Sequence, residues 1–326
     1  MKIFMKEKYP NGKRKIYFLG KKFFSYKKRQ QSSIYDKIYS KRFNGISAKE
    51  ARYILEYQFE RMVGYKLNLD NPKSFNEKIQ WLKLYYHDPL MTKCADKVAV
   101  RDYVKEKIGE KYLVPCLGIY KNPDEIDFSK LPNKFALKVN WGSGQNIICK
   151  DKAQLNQNEV KEKLRNWMRP ENNHYYNFLE WVYKDIEPKI IAEEFIESSD
   201  DLVDYKFMCY NGEPKNMFLV QNRDRGHDEM RINFFDNNFK LLPITRLYKR
   251  SEEKIMKPKQ WDEMIKLSKI LAEPFPFVRV DWYIEKDGNL KLGELTFSPG
   301  NGTEPFSPIE WDYKFGSELD LPQKRL

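Results

Sequence analysis

The stretch from Phe277 to Gly302 constrains the fold most, because it predicts a β-hairpin with a defined register. The predicted turn is Asp287-Gly288. An Asp-Gly pair between alternating apolar residues favours a two-residue loop that places Lys286 opposite Asn289. The strands on either side of this turn should therefore pair antiparallel, with a fixed set of facing residues.

This register brings two carboxylates together, because it places Asp281 opposite Glu294 and Arg279 opposite Thr296 on one face of the hairpin. Facing carboxylates repel, so we expect a raised pKa for the pair and an Asp281→Asn variant at least as stable as the wild type. Such oxygens suit Mg²⁺ held together with substrate phosphates. A solvated acidic hairpin is the alternative, since exposed carboxylates can simply be hydrated.

The basic charge is concentrated at the N-terminus of the 326-residue chain, whose formal net charge is +12. Residues 1–31 contain eleven Lys or Arg and one Glu, which gives +10 and leaves only +2 for the rest. This distribution argues against a general nucleic-acid surface. Interleaved aromatic residues would let this basic amphipathic arm, residues 1–33, lie on an anionic membrane or bind a biosynthetic partner. A merely solubilising tail is the alternative.

Several classes of protein are disfavoured by what the sequence lacks. No apolar run approaches the length of a membrane span, and the opening residues lack the apolar core of a secretory signal, so we expect a cytoplasmic protein. The three histidines form no HExxH motif. The four cysteines form no CxxC pair, which argues against a zinc knuckle and a disulfide framework; they are Cys94, Cys116, Cys149 and Cys209.

Helix signals dominate residues 34–112. Two capping boxes, SAKE at 47–50 and SFNE at 74–77, each predict a helix start. A third helix is predicted to begin at Asp96, with Lys97 in its first turn. A lysine there is unfavourable for the helix dipole and hints at a nearby anion, although an ordinary exposed lysine explains it too.

A glycine loop follows an alternating strand further along the chain. Lys138 lies in that strand, and the loop contains Gly142, Ser143 and Gly144. Such a loop can present backbone N–H groups to a phosphate, with the lysine reaching the same anion. A plain hairpin would need nothing more than these glycines.

Taken in order, the motifs resemble the TupA-like branch of the ATP-grasp superfamily, found in bacterial surface-polysaccharide biosynthesis. The motifs are SFNEKIQWLKLYY, ADKVAVRDYV, LPNKFALKVNWGSG, IIAEEF, DYKFMCYNGEP, FVRVDWY, GELTFSPGNG and EWDYKFG. The resemblance implies an α+β ATP-grasp fold, in which two α+β lobes sandwich ATP after a small helical N-terminal region. The implied units are the arm 1–33, the helical region 34–112, the small lobe with the glycine loop 113–193, and the large lobe with the metal-binding hairpin 194–326.

The resemblance also implies roles at matching positions. For the nucleotide these are Lys97, Lys138 and Lys206 at the phosphates, Gly142, Ser143 and Gly144 in the covering loop, Glu193, Glu194, Phe195 and Ile196 beside adenine, and Asp200 or Asp201 at the ribose. Asp281, Glu294 and Thr296 would hold Mg²⁺, and Arg279 and Lys138 would act in catalysis. Thr296 stands where the superfamily usually has Asn, so the number of bound metal ions, one or two, is open. Trp141 also departs from the usual smaller polar residue of the loop.

The implied reaction is ADP-forming amide ligation through an acyl phosphate. It would join an amino acid or amine to a uronic-acid carboxylate in a capsule, O-antigen or teichuronopeptide-type polysaccharide, in the cytoplasm or at the inner face of the membrane. A glycosyltransferase is one alternative, but the nearest Asp-x-Asp candidate, at Asp236, reads DNN. A non-catalytic nucleotide-binding scaffold is another alternative. It stays open because the Thr296 hydroxyl is a poorer metal ligand than the usual Asn.

Removing residues 1–31 should leave nucleotide binding intact and weaken association with anionic vesicles. Surface attraction is worth about 1 kcal/mol per basic residue near the membrane. Added salt should weaken vesicle binding of the full-length protein in the same way. Cosedimentation with vesicles measures both effects, and equal vesicle binding by the truncated and full-length proteins would exclude a membrane role for the arm.

Overall fold

The structure is a computed structural model that describes residues 33–197, 202–222 and 228–326, together with three strands nearer the N-terminus. These strands are β1 (Phe4–Lys8), β2 (Lys13–Phe18) and β3 (Lys21–Lys27), and they form an antiparallel sheet with β2 in the middle. The membrane or partner contact of this arm stays a prediction. In the described ranges, no helix is long and apolar enough to cross a bilayer.

The predicted helical region contains α1 (Ser33–Ser40), α2 (Ala48–Val63), α3 (Phe75–Tyr85), α4 (Pro89–Ala95) and α5 (Val100–Lys107). Both predicted capping boxes are present, at the starts of α2 and α3. The predicted helix start at Asp96 is wrong. Its side chain accepts a hydrogen bond from Val98 N at 2.8 Å, which stabilises a turn between α4 and α5. Lys97 therefore lies in this turn and not inside a helix.

The small lobe is built on a four-stranded antiparallel sheet that carries the glycine loop. Its strands are β4 (Cys116–Tyr120), β5 (Phe135–Val139), β6 (Asn146–Cys149) and β7 (Ile190–Glu194), in the order β4-β7-β5-β6. Helices α6 (Gln157–Trp167) and α7 (His174–Phe178) lie between β6 and β7 in the chain. Leu137 and Val139 of β5 are fully buried. Lys138 therefore points from the other face of the strand, toward the large lobe.

The large lobe is built on a five-stranded antiparallel sheet. Its strands are β8 (Asp204–Tyr210), β9 (Glu213–Gln221), β10 (Arg231–Asp236), β11 (Phe277–Ile284) and β12 (Leu290–Thr296), in the order β10-β9-β8-β11-β12. Helix α8 (Trp261–Ala272) covers one face, where Trp282 Nε1 donates a hydrogen bond to Ser268 Oγ at 2.9 Å. Helix α9 (Glu310–Ser317) packs against α3. Part of the opposite face is covered by α3, whose Phe75 contacts Tyr210 and Phe277, and another part faces the cavity described below.

The hairpin of β11 and β12 has a different turn from the predicted one. Glu285 N–H donates to Asn289 O at 2.9 Å, and Gly288 N–H donates to Glu285 O at 2.8 Å. The loop therefore has three residues, 286–288, and the predicted pairing of Lys286 with Asn289 is wrong. Gly288 ends the loop with a φ of 88°, a conformation that favours glycine.

The longer loop shifts the strand pairing by one residue, and a β-bulge restores the predicted pairing before the charged residues. Trp282 pairs with Leu292, whereas Asp281 pairs with Glu294, so Gly293 is the extra residue. The predicted pairing of Asp281 with Glu294 is therefore confirmed, as is the next predicted pair along the strands. A Cβ at Gly293 would meet the ring of Tyr283 at 2.6 Å, so glycine also makes room for that ring.

Gly316 lets α9 approach the start of α3. A Cβ there would overlap the carbonyl oxygen of Lys73 and lie 2.7 Å from Ser74 C and 2.8 Å from Phe75 N, all backbone atoms. Gly316→Ala should therefore lower the free energy of unfolding by about 1–3 kcal/mol, the usual cost of overpacking. Chemical denaturation measures this change. Ser317→Ala, at an exposed neighbour, should change it by less than about 0.5 kcal/mol, and equal effects of the two substitutions would contradict the close packing.

Candidate active site

A cavity of about 470 Å³ lies between the sheets of the two lobes. It collects predicted site residues from distant parts of the chain, namely Lys97, Lys138, Gly142, Ser143, Gly144, Lys206, Arg279, Glu294 and Thr296. The first five come from the helical region and the small lobe, and the last four from the strands of the large lobe. The cavity is therefore the candidate active site.

Arg279 is the centre of a charged cluster on the floor of this cavity. Its Nη2 donates to Asp281 Oδ2 at 2.6 Å, to Glu294 Oε1 at 2.7 Å and to Thr296 Oγ1 at 3.0 Å. Its Nε donates to Asp281 Oδ1 at 2.6 Å. The register of β11 and β12 explains this geometry, because it places the four side chains on one face of neighbouring strands. One guanidinium thus joins both strands.

Lys206 supplies a second cation to the same cluster. It lies opposite Asp281 on β8, and its Nζ forms an ion pair with that carboxylate. The same nitrogen lies 3.4 Å from Asp204 Oδ2. Asp281 is only 1% exposed, and a buried charge is costly unless it is paired. Its carboxylate is therefore compensated by Arg279 and Lys206 together.

The expected raised pKa is found for Asp281 but not for Glu294. At Asp281, burial is the main cause, the charges of Arg279 and Lys206 oppose it, and repulsion by Glu294 adds to it. Burial alone would raise the pKa of Glu294. The positive charges of Lys97, Arg279 and Lys206 outweigh burial and hold the pKa of that carboxyl well below its usual range. Glu294 is therefore ionised at neutral pH, and the two carboxylates attract shared cations.

Lys97 connects the glycine loop with this cluster. Its Nζ donates to Gly142 O at 2.7 Å and lies 3.8 Å from Glu294 Oε2. Burial lowers the pKa of Lys97, and attraction to Glu294 opposes that effect. The first glycine of the loop is thus held to the large lobe through one lysine side chain.

Lys138 is held by a buried acidic residue of the neighbouring strand. Its Nζ lies 2.6 Å from Glu193 Oε2, and Arg101 Nη1 lies 3.4 Å from Glu193 Oε1. Glu193 is 7% exposed. Its carboxylate therefore binds two cations, and its side chain is not part of the cavity lining.

The other residues predicted beside adenine follow Glu193 in the chain. Glu194 ends β7, and Phe195 and Ile196 begin the connection from the small lobe to the large lobe. None of the three is among the described residues that line the cavity. The predicted ribose residues, Asp200 and Asp201, lie outside the described residues. An adenine contact at the connection stays a prediction.

Sequence reasoning missed His174, Glu180 and Tyr183, which line the cavity near the glycine loop. His174 Nδ1 lies 3.0 Å from Glu180 Oε1. Burial lowers the pKa of His174, but the hydrogen bond to Glu180 and its charge outweigh burial, so the net shift is upward. Burial also raises the pKa of Tyr183 well above its ordinary value. His174 begins the short helix α7, and Glu180 and Tyr183 follow it before β7. None of them lies in a motif, and the scarcity of histidine was the only signal.

Arg246 was also missed. It is 4% exposed and lines the cavity. Its Nε lies 3.1 Å from Glu304 Oε2, and its Nη2 donates to Pro299 O at 3.2 Å. The residue lies in the segment of mixed composition between β10 and α8, so no periodic pattern could have identified it.

Glu294 and Thr296 line the cavity, whereas Asp281 is 1% exposed and outside the lining. A divalent cation bound to both carboxylates would therefore have to displace Arg279 from Asp281. Oxygens of Asp281 and Glu294 already contact one cationic atom, Arg279 Nη2, at 2.6 and 2.7 Å. Mg²⁺ is commonly held by one or two carboxylates together with substrate phosphates. Across the ranges that the structure describes, no group of three or more His, Cys, Asp or Glu side chains is arranged to hold a metal ion. A metal at this floor would therefore need further ligands from a substrate.

One protein family and several solved structures are similar to this chain. The profile of a family described as TupA-like ATPgrasp matches residues 77–320. No curated protein matches the chain significantly. Similar solved structures include an L-amino acid ligase from Bacillus licheniformis, with 13% identity and a TM-score of 0.43 over 78% of this chain and 55% of that chain. Another is the ATP-grasp ligase PsnB complexed with a precursor variant, Mg and ADP, with 9% identity and a TM-score of 0.37 over 72% of this chain and 58% of that chain. The chain thus spans little more than half the length of these proteins.

Asp281→Asn should destabilise the ligand-free protein, in contrast to the expectation from sequence. It leaves Arg279 and Lys206 without their shared counter-ion, and breaking a buried ion pair from one side costs about 3–5 kcal/mol. Chemical denaturation without nucleotide measures the loss. Asp287→Asn, on the exposed turn of the same hairpin, is the matched control and should remain within about 0.5 kcal/mol of the wild type. An Asp281→Asn protein as stable as this control would show that the carboxylate is not needed to neutralise the floor.

Proposed function

The chain belongs to the TupA-like ATP-grasp family, and we propose that it is an ATP-dependent carboxylate–amine ligase that forms an amide through an acyl phosphate. The predictions of this family and of an α+β ATP-grasp fold are confirmed by the family match and by the two antiparallel sheets. The activity, the substrates and the roles of individual residues are our proposal.

The observation that supports this function is the convergence, on one cavity, of the four cationic residues that the sequence predicted; Arg246 lines the same cavity. Lys97, Lys138, Lys206 and Arg279 come from three separate regions of the chain and line the same space beside the glycine loop. Phosphoryl transfer depends chiefly on positioning and on compensation of the developing negative charge. A cavity with fixed cations meets that requirement.

We assign ATP to the charged part of the cavity. Lys97, Lys138 and Lys206 would contact the phosphates, Gly142, Ser143 and Gly144 would cover them, Glu193, Glu194, Phe195 and Ile196 would lie toward adenine, and Asp200 or Asp201 would hold the ribose. Asp281, Glu294 and Thr296 would hold Mg²⁺ together with phosphate oxygens. The bound ion would neutralise charge on the transferring phosphoryl group.

The reaction has two balanced steps. A carboxylate oxygen of the first substrate attacks the γ-phosphorus, the bond to ADP breaks, and an acyl phosphate forms. The amine nitrogen of the second substrate then attacks the acyl carbon, the bond to phosphate breaks, and the amine loses a proton. Arg279 lines the cavity with 11% of its side chain exposed, so its guanidinium can stabilise the anionic tetrahedral intermediate.

For substrates, we propose a uronic-acid carboxylate and an amino acid or amine, joined during capsule, O-antigen or teichuronopeptide-type polysaccharide biosynthesis. This assignment rests on the family and not on a contact in the cavity. Synthesis from ATP would place the protein in the cytoplasm, and the basic arm would allow a peripheral position at the inner face of the membrane.

Product analysis tests the proposal. Incubation with ATP, Mg²⁺, pooled uronic acids and pooled amino acids should release ADP and inorganic phosphate and yield an amide, with all three products dependent on both substrate pools. Mass spectrometry and nucleotide chromatography identify them. Release of AMP and diphosphate, or release of ADP without an amide, would contradict the ligase assignment.

Lys138→Ala should weaken Mg²⁺–ATP binding by about 1.5–3 kcal/mol, the range for a hydrogen bond to a charged group. Equilibrium titration with a non-hydrolysable ATP analogue measures the change. Lys130→Ala is the control, because that lysine is 83% exposed and outside the cavity lining, and it should bind the nucleotide like the wild type. Identical affinities of the two variants would remove Lys138 from the phosphate site.

A further inference from the structure

The side of the cavity formed by β9, β10 and their neighbouring segments is apolar, whereas the floor is charged. The apolar lining consists of Phe218, Val220, Met230, Ile232, Phe234 and Leu247. Val220 pairs with Ile232 and Phe218 with Phe234 across the two strands, so all four side chains lie on the cavity face. The rings of Phe218 and Phe234 are 5.1 Å apart. These residues form an apolar wall. Its four strand residues are at most 7% exposed, so its accessible surface comes chiefly from Met230 and from Leu247, which is 63% exposed.

The wall adjoins the reaction centre. The guanidinium carbon of Arg279 lies 5.9 Å from the ring centroid of Phe218, so the charged floor and the wall meet at this pair. An apolar surface gives no compensation for phosphate charge. A ligand that covers the wall would still reach the site where the acyl phosphate is proposed to form. The wall therefore suits the substrate that meets the acyl phosphate.

Leu247 extends the wall into open space. It is 63% exposed and has a φ of 58°, in the left-handed region that non-glycine residues rarely adopt. The turn is closed by a hydrogen bond of 2.6 Å from Tyr248 N–H to Arg246 O. An apolar side chain held in this backbone conformation at the cavity is available to cover an apolar ligand.

Arg246 supplies a polar group next to the wall. A guanidinium has five N–H donors in a planar fork that matches a carboxylate. The contacts with Glu304 and Pro299 leave part of this fork for a ligand, and the side chain lines the cavity. A molecule with an apolar body and a carboxylate would therefore satisfy both Leu247 and Arg246.

We propose that this wall binds the amine substrate, and that this substrate is an α-amino acid with an apolar side chain. The side chain would lie against Phe218, Ile232 and Leu247, and the α-carboxylate would bind Arg246. A carboxylate bound to Arg246 is held away from phosphorylation, so the α-amino group is the part left to attack the acyl phosphate beside Arg279. This inference rests on the proposed ligase function and specifies its second substrate.

Calorimetric titration of the full-length protein, with Mg²⁺ and a non-hydrolysable ATP analogue present, tests the inference without turnover. L-leucine and L-phenylalanine should bind about tenfold or more tightly than L-glutamate, which cannot bury its side chain, and than L-leucinamide, which lacks the carboxylate. Equal binding of leucine and glutamate, or no binding of leucine, would overturn the inference.

A pair of matched variants locates the site. Leu247→Asp should weaken L-leucine binding about tenfold or more and leave affinity for the ATP analogue unchanged. Leu241→Asp, at a residue that is 47% exposed and outside the cavity lining, should bind leucine like the wild type. Unchanged leucine binding by Leu247→Asp would overturn the inference, and so would weaker binding of the ATP analogue, since the wall would then belong to the nucleotide.

Turnover separates this inference from the ligase assignment. Amide formation with polar amino acids but not with leucine or phenylalanine would overturn the apolar substrate and leave the ligase function standing. Leucine binding that depends on Leu247, without ADP or amide from any uronic acid, would support the amino-acid site and contradict the ligase function.

Discussion

Arg279 Nη2 lies within hydrogen-bonding distance of Asp281, Glu294 and Thr296, and the floor of the cavity depends on this shared nitrogen. Without it, two carboxylates would face each other on paired strands in a largely buried place. Removing such charges from water costs several kcal/mol for each ion, so they persist only with their counter-ions. The charge that neutralises the floor is therefore also the charge that the proposed chemistry needs, and it is in place before any substrate arrives.

Sequence rules predicted the parts of the fold that depend on residues close together in the chain. The capping boxes at Ser47 and Ser74 were predictable because each helix start is satisfied by residues three positions apart. The pairing of Asp281 with Glu294 was also predicted, although by two compensating errors. A loop one residue longer than expected shifted the register, and the bulge at Gly293 restored it. Bulges depend on how neighbouring strands twist, which alternation in one strand does not reveal.

The charge balance of the site could not be predicted from one strand pair. Lys206 approaches Asp281 from β8, about 75 residues away in the chain, and its position follows from strand order and not from any motif. The same limit applies to the apolar wall, because its strand residues reach the cavity where β9 and β10 extend the sheet past β8. Sequence patterns identified the residues whose chemistry suits phosphate binding. Tertiary packing determined what stands around them.

The hydrogen bond from Lys97 to Gly142 stabilises one position of the glycine loop. The ammonium group of Lys97 binds Gly142 O and approaches Glu294, so the small-lobe loop and the large-lobe floor share one cation. A nucleotide that recruits this ammonium must compete with the carbonyl, and the loop loses its tether to the same extent. A change that weakens this tether but keeps Lys97 would strengthen nucleotide binding by the factor by which it raises the fraction of protein with a free ammonium. With Lys97 at the phosphates, as we propose, the resting position of the loop would compete with the nucleotide for one ammonium group.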